Sequence, residues 1–269
     1  MGTLEIPDAR LYYEVRGQGP LVVLVGAPMD AAPFAGLADL LATDHTVLTT
    51  DPRGIHRSPL ADPDQDSTPQ MRADDLSRLI AHLDAGPAVV LGSSGGAVSA
   101  LALVQAHPEQ VHTVIAHEPP LLELLEDPAY HRAQIDDIIA THLSGDVGGA
   151  WVKFLAHANI IMPEPGDLVG DFIPTEPSPQ EIADANYQNA HMLRPTTRWV
   201  PDVEALRGSR SRVLIGLGED SGGQICERTS KTLAAELGIE PTMFPGGHIG
   251  FAEDPARFVL RFREVLAQG

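Results

Sequence analysis

The chain has 269 residues, 43% of them apolar and 20% charged, and these proportions exclude a wholly disordered or fibrous protein. That length suits one large domain better than two small ones. A formal charge of −19 would repel a phosphate backbone or an anionic membrane, and no basic patch offsets it, so neither nucleic acid nor membrane is an expected partner.

At the start of the chain, residues 1–6 lack a basic region followed by an apolar one, and Ile6 stands where a myristoylation signal wants Ser or Thr. Residues 10–16 alternate as a strand. Leu21–Val25 is a continuous Val/Leu run of the kind buried on both faces of a parallel sheet, and it is far too short to span a bilayer. A cytoplasmic location is therefore expected. Phe34, Leu37, Ala38 and Leu41 form a helical stripe, and Thr46–Thr50 reads as the next strand.

The unit then repeats. Leu76, Leu79, Ile80 and Leu83 share a helical face, residues 88–91 are a buried strand, Val98, Leu101 and Ala102 continue as a helix, and residues 111–116 are strand again. Such alternation predicts an α/β fold with a mostly parallel central sheet flanked by helices. From 119 to 201 the rhythm stops: proline-rich and helical stretches carry scattered large side chains with no strand run, as an insertion would. Residues 213–217, a helix at Ile225–Leu237, a short strand at Thr242–Phe244 and a final helix bearing Phe258, Val259, Phe262 and Leu266 resume it. Cys226, in the first of these helices, is the single cysteine; it excludes an intrachain disulfide and fits a reducing compartment.

Gly92-Ser93-Ser94-Gly95-Gly96 follows the strand at 88–91 and precedes a helix, matching Gly-x-Ser-x-Gly with Ser94 at its centre. Small flanking residues allow the sharp turn that would expose the Ser94 hydroxyl at the carboxyl edge of the sheet. A serine needs a base to take its proton, and Pro245-Gly246-Gly247-His248 places an imidazole on a glycine-rich loop after the last short strand.

This order of motifs resembles the α/β-hydrolase fold family over essentially the whole chain, in its serine-nucleophile esterase and lactonase branch. Val25-Gly26-Ala27-Pro28 is similar to that family's His-Gly-x-Pro oxyanion turn, with Val25 in place of His, and Asp51-Pro52-Arg53-Gly54 to its Asp-x-Arg-Gly loop. The resemblance implies Ser94 as nucleophile, His248 as base, and the backbone N–H groups of Ala27 and Gly95 as the oxyanion hole. It also implies a core domain of residues 1–118 and 202–269 with a helical cap at 119–201. His56 and Arg57 are expected to brace their loop.

The acid is the open member. Ser221 stands where most of the family has Asp after the seventh strand, so attention moves to Glu118 behind the sixth, the position used by zearalenone-type lactone hydrolases; Asp220 and Glu219 are the alternatives. Among cap residues, Trp199, Met192 and Trp151 are the first candidates for substrate contact, with Phe154, Met162, Phe172 and Tyr187 behind them.

Other signatures fail. His117-Glu118-Pro119-Pro120 lacks the second histidine of a zinc-binding helix, and Gly216-x-Gly218-x-x-Ser221 lacks the third glycine of a dinucleotide loop, so neither metal nor nicotinamide cofactor is expected. The implied activity is hydrolysis of a carboxylic ester or lactone of a medium-sized apolar molecule through an acyl-enzyme. C–C bond hydrolysis, a perhydrolase activity and a non-catalytic small-molecule receptor are the alternatives. Whether the chain acts as a monomer or a homodimer stays open.

Overall fold

The computed structural model describes residues 1–160 and 177–268. Eight strands form one sheet in the order β1-β2-β4-β3-β5-β6-β7-β8. They are β1 (Gly2–Ile6), β2 (Ala9–Arg16), β3 (Leu21–Val25), β4 (Thr46–Thr50), β5 (Ala88–Ser93), β6 (Val111–His117), β7 (Arg212–Gly218) and β8 (Thr242–Phe244). β2 runs antiparallel to β1 and β4; the pairings from β4 through β8 are parallel. Edge strand β1 is an addition to the sequence reading, where only Leu4 and Ile6 hint at alternation.

The sheet separates two apolar layers, and the period-2 geometry of its strands explains how. On β3, Leu21, Val23 and Val25 face one core while Val22 and Leu24 face the other. The first core is closed by helices α2 (Pro69–Leu83), α3 (Gly95–Ala106), α8 (Val203–Arg207) and α9 (Ile225–Leu237), through residues such as Leu76, Leu101, Leu206 and Leu233. The second is closed by α1 (Ala35–Leu41), α10 (Gly250–Glu253) and α11 (Pro255–Ala267), with Phe34, Phe251, Phe258 and Phe262 at its centre.

Between β6 and β7 the chain leaves the sheet and forms α4 (Pro128–Leu143), α5 (Val147–Ala158), α6 (Pro179–Tyr187), a π-turn at Gln188–Met192 and α7 (Leu193–Thr197). This segment has a small cluster of its own, in which Leu125, Ile135, Ile138, Ile139 and Ala150 gather around Ile225 of α9. Met162 and Phe172 lie outside the described residues. Among the described residues no helix is long and apolar enough to cross a membrane.

Candidate active site

The site is assembled where the parallel strands end. β5 runs two residues past the apolar run expected from the sequence, and Ser94 turns directly into α3 with φ 56° and ψ −125°. A Cβ on Gly92 would come within 2.4 Å of the Gly96 carbonyl oxygen, and one on Gly96 within 2.2 Å of the Val25 oxygen, so both positions require glycine. The Ser94 amide donates to the His117 carbonyl at 2.9 Å, tying the turn to β6.

Five non-glycine residues among those described have positive φ: His56, Asp84, Ser94, Glu118 and Asn159. Asp84 and Asn159 end helices, a common place for left-handed backbone. Ser94 and Glu118 do not, and such a conformation costs on the order of 1–3 kcal/mol at each, which marks positions held by their surroundings.

Glu118 follows β6 directly and is fully buried. Its Oε1 accepts from the Gly218 amide at 2.8 Å and its Oε2 from His248 Nδ1 at 2.6 Å. Burial alone would raise its pKa; the His248 hydrogen bond and the nearby His117 imidazole reverse this and hold it lowered to about 2. Burial likewise works against a charged His248, but the neighbouring Cys226 sulfur and the Glu118 carboxylate outweigh it and raise the imidazole's pKa well above its ordinary value.

The rival carboxylates are elsewhere. Asp220 and Glu219 are exposed, and Glu219 bonds Arg257 Nη2 at 2.9 Å. Ser221, at the position where most of the family has an Asp, is fully buried close to Glu118. Of the carboxylates weighed from the sequence, only Glu118 meets His248.

Ser94, His248, Ala27 and Gly95 all border one cavity of about 130 Å³. The helical segment contributes apolar wall from Leu122, Ile135, Phe154, Ile160, Met192 and Leu193. Met192, a candidate for substrate contact, lies on that wall. Trp199 and Trp151 do not: Trp199 is buried in the core against the sheet, and Trp151 is 40% exposed and stacks on Phe154 at 5.4 Å. A tryptophan's size raises the odds of contact with something, but burial against the sheet and packing on a helix surface satisfy it as well as a ligand does.

Two buried guanidinium groups brace the surroundings. Arg53 bonds Asp75 through Nε and Nη2 and Asp8 through Nη1. Arg72 donates to Ser99 at 2.8 Å and to Thr196 at 2.8 Å, joining α2 to α3 and to α7; Ser99 in turn donates to the Gly95 carbonyl. Burial lowers the Arg72 pKa to about 9, which leaves it charged at neutral pH. As expected, His56 and Arg57 brace their loop: Arg57 grips Asp51 through Nε and Nη2, and His56 Nδ1 meets Asp30 Oδ2 at 2.7 Å.

The model of the alpha/beta hydrolase family matches residues 21–261. The chain belongs to that family. It is 33% identical to an uncharacterized hydrolase, YraK, of Bacillus subtilis (strain 168), over 98% of this chain and 95% of that protein. It is 27% identical to a zearalenone hydrolase of Bionectria ochroleuca, over 92% of this chain and 90% of that one. Among solved structures, a thermophilic esterase from Thermogutta terrifontis superposes with a TM-score of 0.77 at 20% identity, covering 100% of this chain and 99% of the esterase, a likeness of fold. This alpha/beta hydrolase is accordingly an enzyme with a hydrolase's sheet.

Among the cavity-wall residues that the sequence does not single out for the site are Cys226, Gln224, Ile225 and His157. A signal existed for the first three, since the start of a helix that follows a parallel strand belongs at the strand's carboxyl edge. Nothing in the sequence distinguishes His157 from the other histidines of its segment.

Proposed function

We propose that this hydrolase cleaves a carboxylic ester or lactone of a medium-sized, largely apolar molecule through an acyl-enzyme, with Ser94, His248 and Glu118 as its catalytic set. The observation that carries the reading is the hydrogen bond from the fully buried Glu118 to His248, an imidazole that lines the same cavity as Ser94. Segment 119–201 is, in this reading, the cap, and its apolar wall residues favour an apolar acyl or alcohol group.

Neutral His248 takes the Ser94 proton as Oγ attacks the carbonyl carbon, and Glu118 stabilises the imidazolium through Nδ1. The amides of Gly95 and Ala27 receive the developing oxyanion, where fixed donors of this kind contribute roughly 3–4 kcal/mol each. The imidazolium then protonates the leaving alcohol, and the same nitrogen activates water to release the acid and restore Ser94.

The decisive experiment measures short and long p-nitrophenyl esters and macrocyclic lactones with wild type and Ser94→Ala. The variant should stay folded, lose labelling by a fluorophosphonate, and lose turnover by roughly 10⁶-fold. Retained labelling would remove Ser94 from the mechanism. Tight binding of esters to wild type without turnover would support a receptor instead.

A further inference from the structure

The chain's single cysteine lies against the proposed base. Cys226 is the second residue of α9, half-buried, and lines the cavity with Ser94 and His248. Ligand-type atoms of Cys226, His248 and Glu118 all lie within 4.8 Å of one another. His248 Nδ1 is held by Glu118 Oε2 at 2.6 Å, so Nε2 is the ring nitrogen left for the cavity. Thiolate and imidazole are both zinc ligands, and a metal-bound imidazole is commonly fixed by a carboxylate on its far nitrogen; here the protein supplies two donors and water would complete the coordination.

We propose that Cys226 Sγ and His248 Nε2 form a binding site for a thiophilic divalent cation of the Zn²⁺ or Cd²⁺ type, backed by Glu118, and that its occupancy stops hydrolysis. Tetrahedral coordination places the sulfur and nitrogen about 3.5 Å apart, so the Cys226 side chain, whose sulfur lies within 4.8 Å of a ring nitrogen of His248, has to close on Nε2 to complete the site. Binding forms the metal–sulfur and metal–nitrogen bonds and releases to solvent the thiol proton and, where His248 is an imidazolium, its Nε2 proton as well. The metal then occupies the imidazole lone pair that must accept the Ser94 proton. The other cluster of metal-type side chains, Asp30, Asp51 and His56, is a poorer host, because the Arg57 guanidinium already bonds both oxygens of Asp51.

The loss of rate rests on the ester-hydrolase reading; the binding does not, and the test separates them. Full-length protein freed of metal with EDTA is titrated with ZnCl₂ or CdCl₂, following p-nitrophenyl ester hydrolysis and, for Cd²⁺, the ultraviolet charge-transfer absorbance of a cadmium–thiolate bond. Because the chain has one cysteine, that absorbance reports Cys226 alone. Absorbance saturating at one Cd²⁺ per chain, in step with a loss of rate that EDTA reverses, is the expected result. In Cys226→Ser the absorbance should vanish, and half-inhibition, relative to the variant's own rate, should need about 10–100-fold more cation. Cys226→Ala repeats the comparison if circular dichroism shows the serine variant to be unfolded. No thiolate absorbance in wild type, or equal half-inhibition in wild type and variant, would overturn the site. Absorbance in a wild type that turns over no ester would leave the site standing and refute the hydrolysis reading.

Discussion

The sheet and the helical segment described at 119–160 and 177–201 meet at one cavity but are built differently. On the sheet side each polar group of the proposed catalytic set is held from several directions: Glu118 by the Gly218 amide and His248, Ser94 by glycine contacts and the His117 carbonyl. The helical segment rests on a small apolar cluster and carries Tyr130, Leu143, Val147, Trp151, Val152, Ile182 and Val200 among the exposed large apolar side chains. On the proposed mechanism this difference is a division of labour, with tightly determined geometry for proton transfer and adaptable apolar surface for substrate selection. Substitutions on the sheet side should therefore alter chemistry, and those in the segment should alter selectivity.

The strongest way to break that division is Glu118→Gln, which keeps shape and removes charge. We expect kcat to fall about 10⁴-fold, the scale of a comparable Asp→Asn change, while Asp220→Asn leaves kcat close to wild type. A crippled Asp220→Asn with a mild Glu118→Gln would reassign the acid. The pH dependence carries its own sign. A base must be neutral to act, and His248 is raised above the ordinary 6.5, so kcat/KM of wild type should rise with pH through a midpoint above 6.5. Removing the Glu118 charge should move that midpoint down.

Next in size is a stability effect beneath the site. His117 is fully buried, its ring surrounded by Phe244, Phe251 and Phe258, and neither ring nitrogen has a hydrogen-bond partner among the described residues. Burial lowers its pKa from 6.5 to about 4. The unfolded chain takes up this proton first, so the stability His117 contributes is complete above pH 6.5 and is lost as pH falls towards 4, by about 3 kcal/mol. Urea denaturation of His117→Phe should show a correspondingly flatter decline between those pH values; an unchanged slope would refute it.

The smallest effects should sharpen the other half of the comparison. Met192→Ala enlarges the cavity and should shift the kcat/KM ratio of long over short p-nitrophenyl esters by roughly tenfold, within the range one pocket side chain commands. Trp151→Ala, outside the cavity lining, should move that ratio much less than Met192→Ala while costing about 0.5–1.5 kcal/mol of stability through the lost stacking on Phe154. An equal response from both would show that the cavity wall does not sort substrates.

Much of this was legible from local pattern. Leu21–Val25, Thr46–Thr50, Ile225–Leu237 and Thr242–Phe244 stand in the structure as the sequence predicts them, because alternation and helical stripes record which faces are buried. The turn at Ser94 was equally plain, since close approach of Gly92 and Gly96 to neighbouring backbone admits only glycine. The wall residues were less legible: Met192 and Trp199 are both buried apolar side chains near one chain return, and composition does not say which faces a cavity and which faces a core.

What the sequence by itself determined is therefore the sheet's rhythm and the separate positions of a turn serine and a loop histidine, because steric and hydrophobic demands act over a few residues. Only the tertiary structure decided that Glu118, 130 residues before His248, is the carboxylate that meets it, and that Cys226 stands beside them. The pairing of β6 with β7 and of β7 with β8 creates those neighbours. Adjacency of strand ends is a property of the folded sheet, and no stretch of chain records it locally.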